Sequence, residues 1–322
     1  MPKVSVIIPI YGVEKYIERC AVSLFEQTLD NIEYIFVNDC TKDCSIEVLK
    51  EVIRKYPQRK SQIRIENMPT NSGLAAVRRH GTLLATSDYI IHCDSDDYID
   101  KDMLEKMYNK ALITNADIVM VDVYKEFRNK KQLVKAPYDK DKSKILSSFV
   151  RGNSIYQWNK LIKTTLYLEF LSYLKDGYNM SEDYSIIVPL CFKANIIEYV
   201  PNTHYHYIQY NSNAITKKKI SENEIKGWLY SVECIENYIT ISKIEGYEQD
   251  IIYRKLIIKY WCWINTEEKE RCKYGKLYPE ISNHAIYLTK QFAGIRAKLL
   301  FYLVAKGFVN YFNFLLKFRE VI

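Results

Sequence analysis

The stretch "VSVIIPIYGVEKYIERCAVSLF", Val4 to Phe25, decides the fold. Its first half is a β-branched run closed by Pro9 and Gly12, the pattern of a buried strand. Its second half repeats apolar side chains at Val13, Tyr16, Ile17, Cys20, Ala21 and Leu24, the spacing of one helix face. The alternation continues outward. Strands are expected at Ile32–Val37, Ile63–Glu66, Tyr89–Cys93 and Asp117–Tyr124, with helices at Ser45–Tyr56, Gly73–Ala85 and Met103–Thr114. Strands separated by single helices imply right-handed crossovers, hence an α/β fold with a mostly parallel sheet and helices on both faces. The Lys-rich segment from Arg128 to Lys144 reads as a solvated loop. Beyond about Thr216 helical periodicity takes over, so the expected division is 1–216 for the α/β domain and 217–322 for a helical C-terminal region.

Composition narrows the function classes. A chain of 322 residues, 48% hydrophobic and 14% aromatic, can bury a large core. The N-terminal run lacks the features of a signal peptide, and no apolar run approaches the roughly 18 residues that span a bilayer. The eight cysteines are scattered without a C-x-x-C pair, which points to reduced thiols in a cytoplasm. The net charge is +7, but residues 290–322 carry six cations against Glu320 alone. The nearly neutral remainder argues against a broad nucleic-acid footprint.

In open α/β sheets ligands bind beyond the carboxyl ends of the strands. Two acidic clusters stand there: "NDCTKD" after the second strand and "DSDD" (Asp94 to Asp97) after the fourth. Asp94 and Asp96, two apart, face one side in extended backbone and suit a hard divalent ion such as Mn²⁺ or Mg²⁺, which in turn holds a diphosphate. The same residues also fit a solvated acidic turn that caps the following helix.

The ordered motifs carry more than either cluster. "VSVIIPIYGVEKYIERCAVSLFEQT" (Val4–Thr28), "IEYIFVNDCTKDCS" (Ile32–Ser45), "NSGLAAVRRHG" (Asn71–Gly81), "YIIHCDSDDYI" (Tyr89–Ile99) and "SEDYSI" (Ser181–Ile186) together resemble glycosyltransferase family 2, the inverting nucleotide-sugar transferases of the Rossmann-like GT-A fold. The resemblance covers roughly the first two thirds of the chain. It implies that Pro9 and Tyr11 line the base and ribose pocket, and that Asp39 accepts a hydrogen bond from the nucleobase, commonly uracil. Asn38, Cys40 and Thr41 depart from the family's commoner acid, Gly and Ser. It places Arg78 beside the nucleotide, Asp96 on the metal, and Asp94 on the metal through water or on the ribose, with Asp97 supporting the loop or approaching the donor sugar.

The Glu182–Asp183 pair favours a helix N-terminus in its own right. The resemblance implies that one of the two is the general base, Asp183 first and Glu182 as the alternative. "QWNKLI" (Gln157–Ile162) resembles a segment of polysaccharide-building members and implies Trp158 and Lys160 near the acceptor; His206, in the aromatic run His204–Thr216, implies an approach to metal or phosphate. Ordinary aromatic packing accounts for Trp158 and His206 equally.

The expected activity is inverting transfer of a hexose-type sugar from a nucleotide donor, UDP-linked by resemblance, to a hydroxyl of a glycan or lipid-linked glycan. The alternative is an inactive nucleotide-binding scaffold on the same fold. A nucleotidyltransferase is disfavoured because "PIYGVEKY" is too poor in glycine for a phosphate loop. In the tail, Phe308, Tyr311, Phe312, Leu315 and Leu316 make one apolar face beside Lys317 and Arg319. Such a face suits peripheral contact with the inner surface of an anionic plasma membrane, or packing on the domain body or a second subunit.

Overall fold

The computed structural model describes residues 1–178, 180–212, 214, 217 and 219–317. The chain forms two compact units, residues 1–149 with 154–218, and residues 150–153 with 219–322. In the first, β1 (Val4–Ile10), α1 (Ile17–Phe25), β2 (Ile32–Asn38), α2 (Ser45–Lys55), β3 (Ile63–Asn67), α3 (Leu74–Leu84) and β4 (Tyr89–His92) alternate in order. The strands pair in parallel as β3–β2–β1–β4, with Val4 opposite both Ile32 and Tyr89.

Strand periodicity sends successive side chains to opposite faces. Val4, Val6, Ile8 and Ile10 of β1, with Tyr34 and Phe36 of β2, join Ile17, Cys20, Ala21 and Leu24 of α1 and Leu49 and Val52 of α2 in one core. On the other face Ile35 and Val37 pack against Val77 of α3. Helices therefore cover both faces.

The chain continues through β5 (Tyr98–Ile99), α4 (Met103–Thr114), β6 (Ile118–Glu126), β7 (Lys131–Val134), α5 (Lys142–Val150), β8 (Lys160–Lys163), α6 (Thr164–Glu169), α7 (Glu182–Lys193) and β9 (Ile197–Ile208). The strand order is β3-β2-β1-β4-β8-β6-β9-β5, with β7 on β6. This half differs from a run of parallel crossovers. Strand β8 enters antiparallel between β4 and β6, and β5 and β7 are antiparallel to β9 and β6. The expected loop Arg128–Lys144 thus contains β7, whose polar "KQLV" lies on the sheet margin with mostly exposed side chains and carries no apolar alternation.

The second unit is helical: α8 (Glu222–Ile241), α9 (Glu248–Ile264), α10 (Arg271–Gly275), α11 (Ala285–Thr289), α12 (Ile295–Lys306) and α13 (Val309–Lys317). Ser221 starts α8 with a capping box, its hydroxyl accepting from the Glu224 N–H while the Glu224 carboxylate accepts from the Ser221 N–H. Arg151 Nε donates to Asp250 at 2.6 Å and Phe312 meets Trp263 edge-on at 5.0 Å.

The tail helix corrects the expected apolar face. It buries Val309, Phe312 and Asn313, whereas Phe308, Tyr311 and Phe314 are exposed. Asn313 Oδ1 accepts from Arg271 Nη1 at 2.7 Å, so the helix docks on its own unit through a face rotated from the expected one. Arg319 lies outside the described residues. Among those residues no helix is long and apolar enough to cross a membrane.

Candidate active site

At the carboxyl end of the parallel strands, Pro9 and Tyr11 close β1, and the Tyr11 ring is exposed. Asp39 follows β2. Its N–H donates to the Ile10 carbonyl at 3.0 Å, which ties the two strand ends together. Its carboxylate accepts the N–H groups of Ser72 (2.7 Å) and Gly73 (2.9 Å) at the start of α3, where helix N–H groups lack intrahelical partners and favour an anion. Gly73 is left-handed (φ 83°), a conformation that glycine adopts without a Cβ clash. The unusual Asn38 and Thr41 are held locally, Asn38 Oδ1 accepting the Thr41 N–H at 2.9 Å.

One turn into α3, Arg78 is the centre of the site. Its side chain is 1% exposed, and it donates from Nη2 to Asp94 Oδ1 (2.8 Å) and from Nη1 to Glu182 Oε1 (2.8 Å) and Asp183 Oδ1 (2.7 Å). Burial opposes the guanidinium charge, but Asp94, Asp183 and Glu182 hold it well above its ordinary value. The planar fork spreads its two terminal nitrogens between Asp94 after β4 and the Glu182–Asp183 pair on α7, a fixed geometry that a rotating ammonium does not impose. Asp94 follows β4 and the Glu182–Asp183 pair opens α7 behind Ser181 (φ 67°).

The paired acids differ. Asp183 is 18% exposed against 7% for Glu182. Burial and the neighbouring Asp183 push Glu182 up to about 8 against the pull of Arg78, which leaves it largely protonated at neutral pH. Burial also raises Asp183, while Arg78 and then Gln157 draw it back down.

Asp96 faces a different environment. Its Oδ2 accepts from the neutral amide of Asn211 at 2.7 Å, and Arg19 Nη2 donates to its backbone carbonyl at 3.1 Å. Burial and then Asp94 push its carboxyl up to about 6. Among the described residues no cation of the chain bonds this carboxylate, and a desolvated acid of that kind fits an added cation. Among the described residues no group of three or more His, Cys, Asp or Glu side chains is placed to hold a metal ion. The two acids of this loop are held differently, Asp94 by Arg78 and Asp96 by Asn211. Asp97 is turned inward, accepting from the Tyr205 hydroxyl (2.9 Å) and the Ile208 N–H (2.8 Å).

Arg78, Asp94, Glu182 and Asp183 thus meet directly, with Asp96 along the same loop. Trp158, Lys160 and His206 lie outside that cluster. Trp158 is buried in an aromatic stack, 4.3 Å from Tyr156 and 4.1 Å from Tyr205 between ring centroids. Lys160 Nζ directs its three protons at Ser154 O, Tyr156 O and Asn159 Oδ1, and burial lowers it to about 8. His206 is bracketed by Glu126 (2.7 Å) and Asp100 (2.8 Å) and stacks on Tyr98 at 4.2 Å. Arg19, Gln157, Tyr167 and Asn211 enter the site without a readable signal, because each is a single polar residue within an otherwise ordinary strand, helix or loop pattern.

A curled α/β sheet with acids at its strand ends and a helical C-terminal region is the GT-A class of transferase fold. The crystal structure of residues 1–349 of TarS from S. aureus in complex with UDP-GlcNAc is similar, with a TM-score of 0.72 at 16% identity, covering 96% of this chain and 89% of that one. The model of the family "Glycosyl transferase family 2" matches residues 5–166, and the chain belongs to that family and is a glycosyltransferase. It is 28% identical over 260 residues to the putative glycosyltransferase EpsH of Bacillus subtilis, covering 78% of this chain and 73% of EpsH. It is 27% identical over 289 residues to the cholesterol galactosyltransferase of Borreliella burgdorferi, covering 83% and 75%.

Proposed function

We propose that residues 1–216 form the transferase domain and move a hexose-type sugar, with inversion, from a UDP-linked donor to a hydroxyl of a glycan or lipid-linked glycan. The observation that carries this reading is the Arg78 fork, which holds Asp94 and Asp183 at 2.8 and 2.7 Å in one site. The UDP-GlcNAc bound by TarS on the same fold supports the donor class, and the named galactosyltransferase relative supports a hexose. Residues 217–322 are the helical region, with peripheral contact to the inner face of the plasma membrane.

Asp183, the more open acid, takes the proton of the acceptor hydroxyl as its oxygen attacks the anomeric carbon opposite the leaving nucleotide. Arg78 favours the anionic form of the base against its burial and aims it, and Glu182, largely protonated, adds no second full charge beside it. Pro9, Tyr11 and Asp39 shape the nucleotide end of the crevice. Asp94 and Asp96 would hold Mn²⁺ or Mg²⁺, which supplies charge neutralisation for the departing diphosphate. The complete acid set argues against an inactive scaffold.

The test is UDP release from a panel of UDP-sugars with Mn²⁺. Asp183→Asn is expected to lower turnover by about 10²- to 10⁴-fold, the usual worth of a general base. Asp96→Ala is expected to abolish the response to Mn²⁺. Full activity in either variant overturns that residue's role.

A further inference from the structure

Asp183 Oδ1 is doubly occupied. Besides Arg78 Nη1 at 2.7 Å it accepts Gln157 Nε2 at 2.6 Å, whereas Oδ2 has no hydrogen-bond partner among the described residues. Gln157 is fully buried just ahead of β8, and its other amide end is fixed: the Tyr167 hydroxyl on α6 donates to Oε1. Tyr167 is buried too, its ring 5.3 Å from that of His92. A hydroxyl that donates to one end of an amide leaves the NH₂ group for the other end; a flipped amide would set Oε1 against a carboxylate oxygen.

We infer that Gln157, oriented by Tyr167, is a positioning residue that fills Asp183 Oδ1 together with Arg78 and so makes Oδ2 the oxygen that receives the acceptor's proton. The inference rests on Asp183 as the base. As the acceptor O–H bond breaks, its proton goes to Oδ2. The oxygen's electron pair forms the bond to the anomeric carbon, and the carbon–oxygen bond to the diphosphate breaks with its pair on the leaving group. Two donors on Oδ1 prevent the carboxylate from rotating to offer the wrong oxygen, the role outer-shell hydrogen bonds play for reactive groups generally. The ionisable groups facing Asp183 are Arg78 from α3, Glu182 beside it on α7, Asp94 after β4, Lys160 from β8 and Tyr167 from α6. Gln157 is the uncharged donor among them.

The experiment is a pH titration of protein labelled with carbon-13 at the aspartate carboxyls, the Asp183 signal being assigned by its loss in Asp183→Asn, run beside UDP release from UDP-GlcNAc with Mn²⁺. In Gln157→Leu the Asp183 signal is expected to titrate about one pH unit higher, because a hydrogen bond to the charged form is gone. Turnover is expected to fall about 10- to 100-fold with the donor KM unchanged. Tyr167→Phe, which only frees the amide to flip, is expected to move both readouts the same way by less, and Gln157→Asn to recover part of the loss. An unmoved Asp183 titration, or a loss confined to donor KM, overturns the inference. If Gln157→Leu does not fold, Tyr167→Phe decides by the same two criteria. Full activity in Asp183→Asn overturns the base reading itself, whereas an inactive Asp183→Asn beside an unaltered Gln157→Leu overturns only the positioning role.

Discussion

Glu182 shares the Arg78 guanidinium with Asp183, and two carboxylates on one buried cation cannot both ionise at ordinary cost. Burial and Asp183 raise Glu182 to about 8 in the folded chain, against an ordinary value of 4.5. Between those two values the native state holds a proton that the unfolded chain has lost, so this group lowers stability as pH rises through that window. Glu182→Gln, neutral at every pH, is therefore expected to match the parent near pH 4.5 and to exceed it by a few kcal/mol, to order of magnitude, at about pH 8. Urea midpoints at pH 5, 7 and 8.5 check this; a constant difference across that range counts against it. The acids of this site were legible as motifs, since Asp94 and Asp96 stand just past a strand signal and the Glu182–Asp183 pair stands where a helix signal begins. Their differences were not. Which acid is protonated depends on burial and on the position of Arg78, and neither is written in the spacing.

At the scale of the element, α3 carries the site: Asp39 caps its start, Arg78 projects from its first turns, and Gly81 sets its distance from the sheet. A Cβ at Gly81 would stand 2.6 Å from Ile7 Cγ2 and 3.2 Å from Val37 Cγ2, both on β-branched side chains of packed strands that have no flexible end to yield. Gly81→Ala gains about 1 kcal/mol of helix propensity and incurs about 1–3 kcal/mol of overpacking. A net loss of about 1 kcal/mol is expected, with a lower Tm and weaker turnover as Arg78 is displaced. A raised Tm would show that α3 moves away freely. The helices and parallel strands of the first half were readable because each carries its own hydrophobic period within its own residues. Strands β5, β8 and β9 were not, because their partners are distant: Ile162 pairs with both Ile90 and Ile118. Strand β7 is the hairpin neighbour of β6, Glu126 opposite Lys131, and was unreadable because its polar "KQLV" carries no apolar alternation. Strand β9 also carries Pro201 and a positive φ at Asn202 beside a register shift opposite Val121/Asp122.

For the molecule as a whole, the helical unit bears on the proposed membrane contact. Removing α12 and α13 would take Val304 and Phe312 out of the core, so deletion tests folding rather than binding. The exposed Phe308, Tyr311 and Phe314 are the better probes. Their joint replacement by Ser is expected to reduce flotation with vesicles rich in phosphatidylserine, since aromatic insertion and the basic tail act together. Equal flotation of parent and variant would remove the membrane contact from the proposal. The chain sequence by itself determined the βα alternation, the acid-bearing strand ends and the helical C-terminal region, because hydrophobic period and turn chemistry are local properties. Only the tertiary structure decided the antiparallel insertion of β8, the rotated docking face of the tail helix and the Arg78 fork that joins Asp94 to Asp183. Those depend on which distant surfaces meet, and a buried charge has its meaning from what it touches.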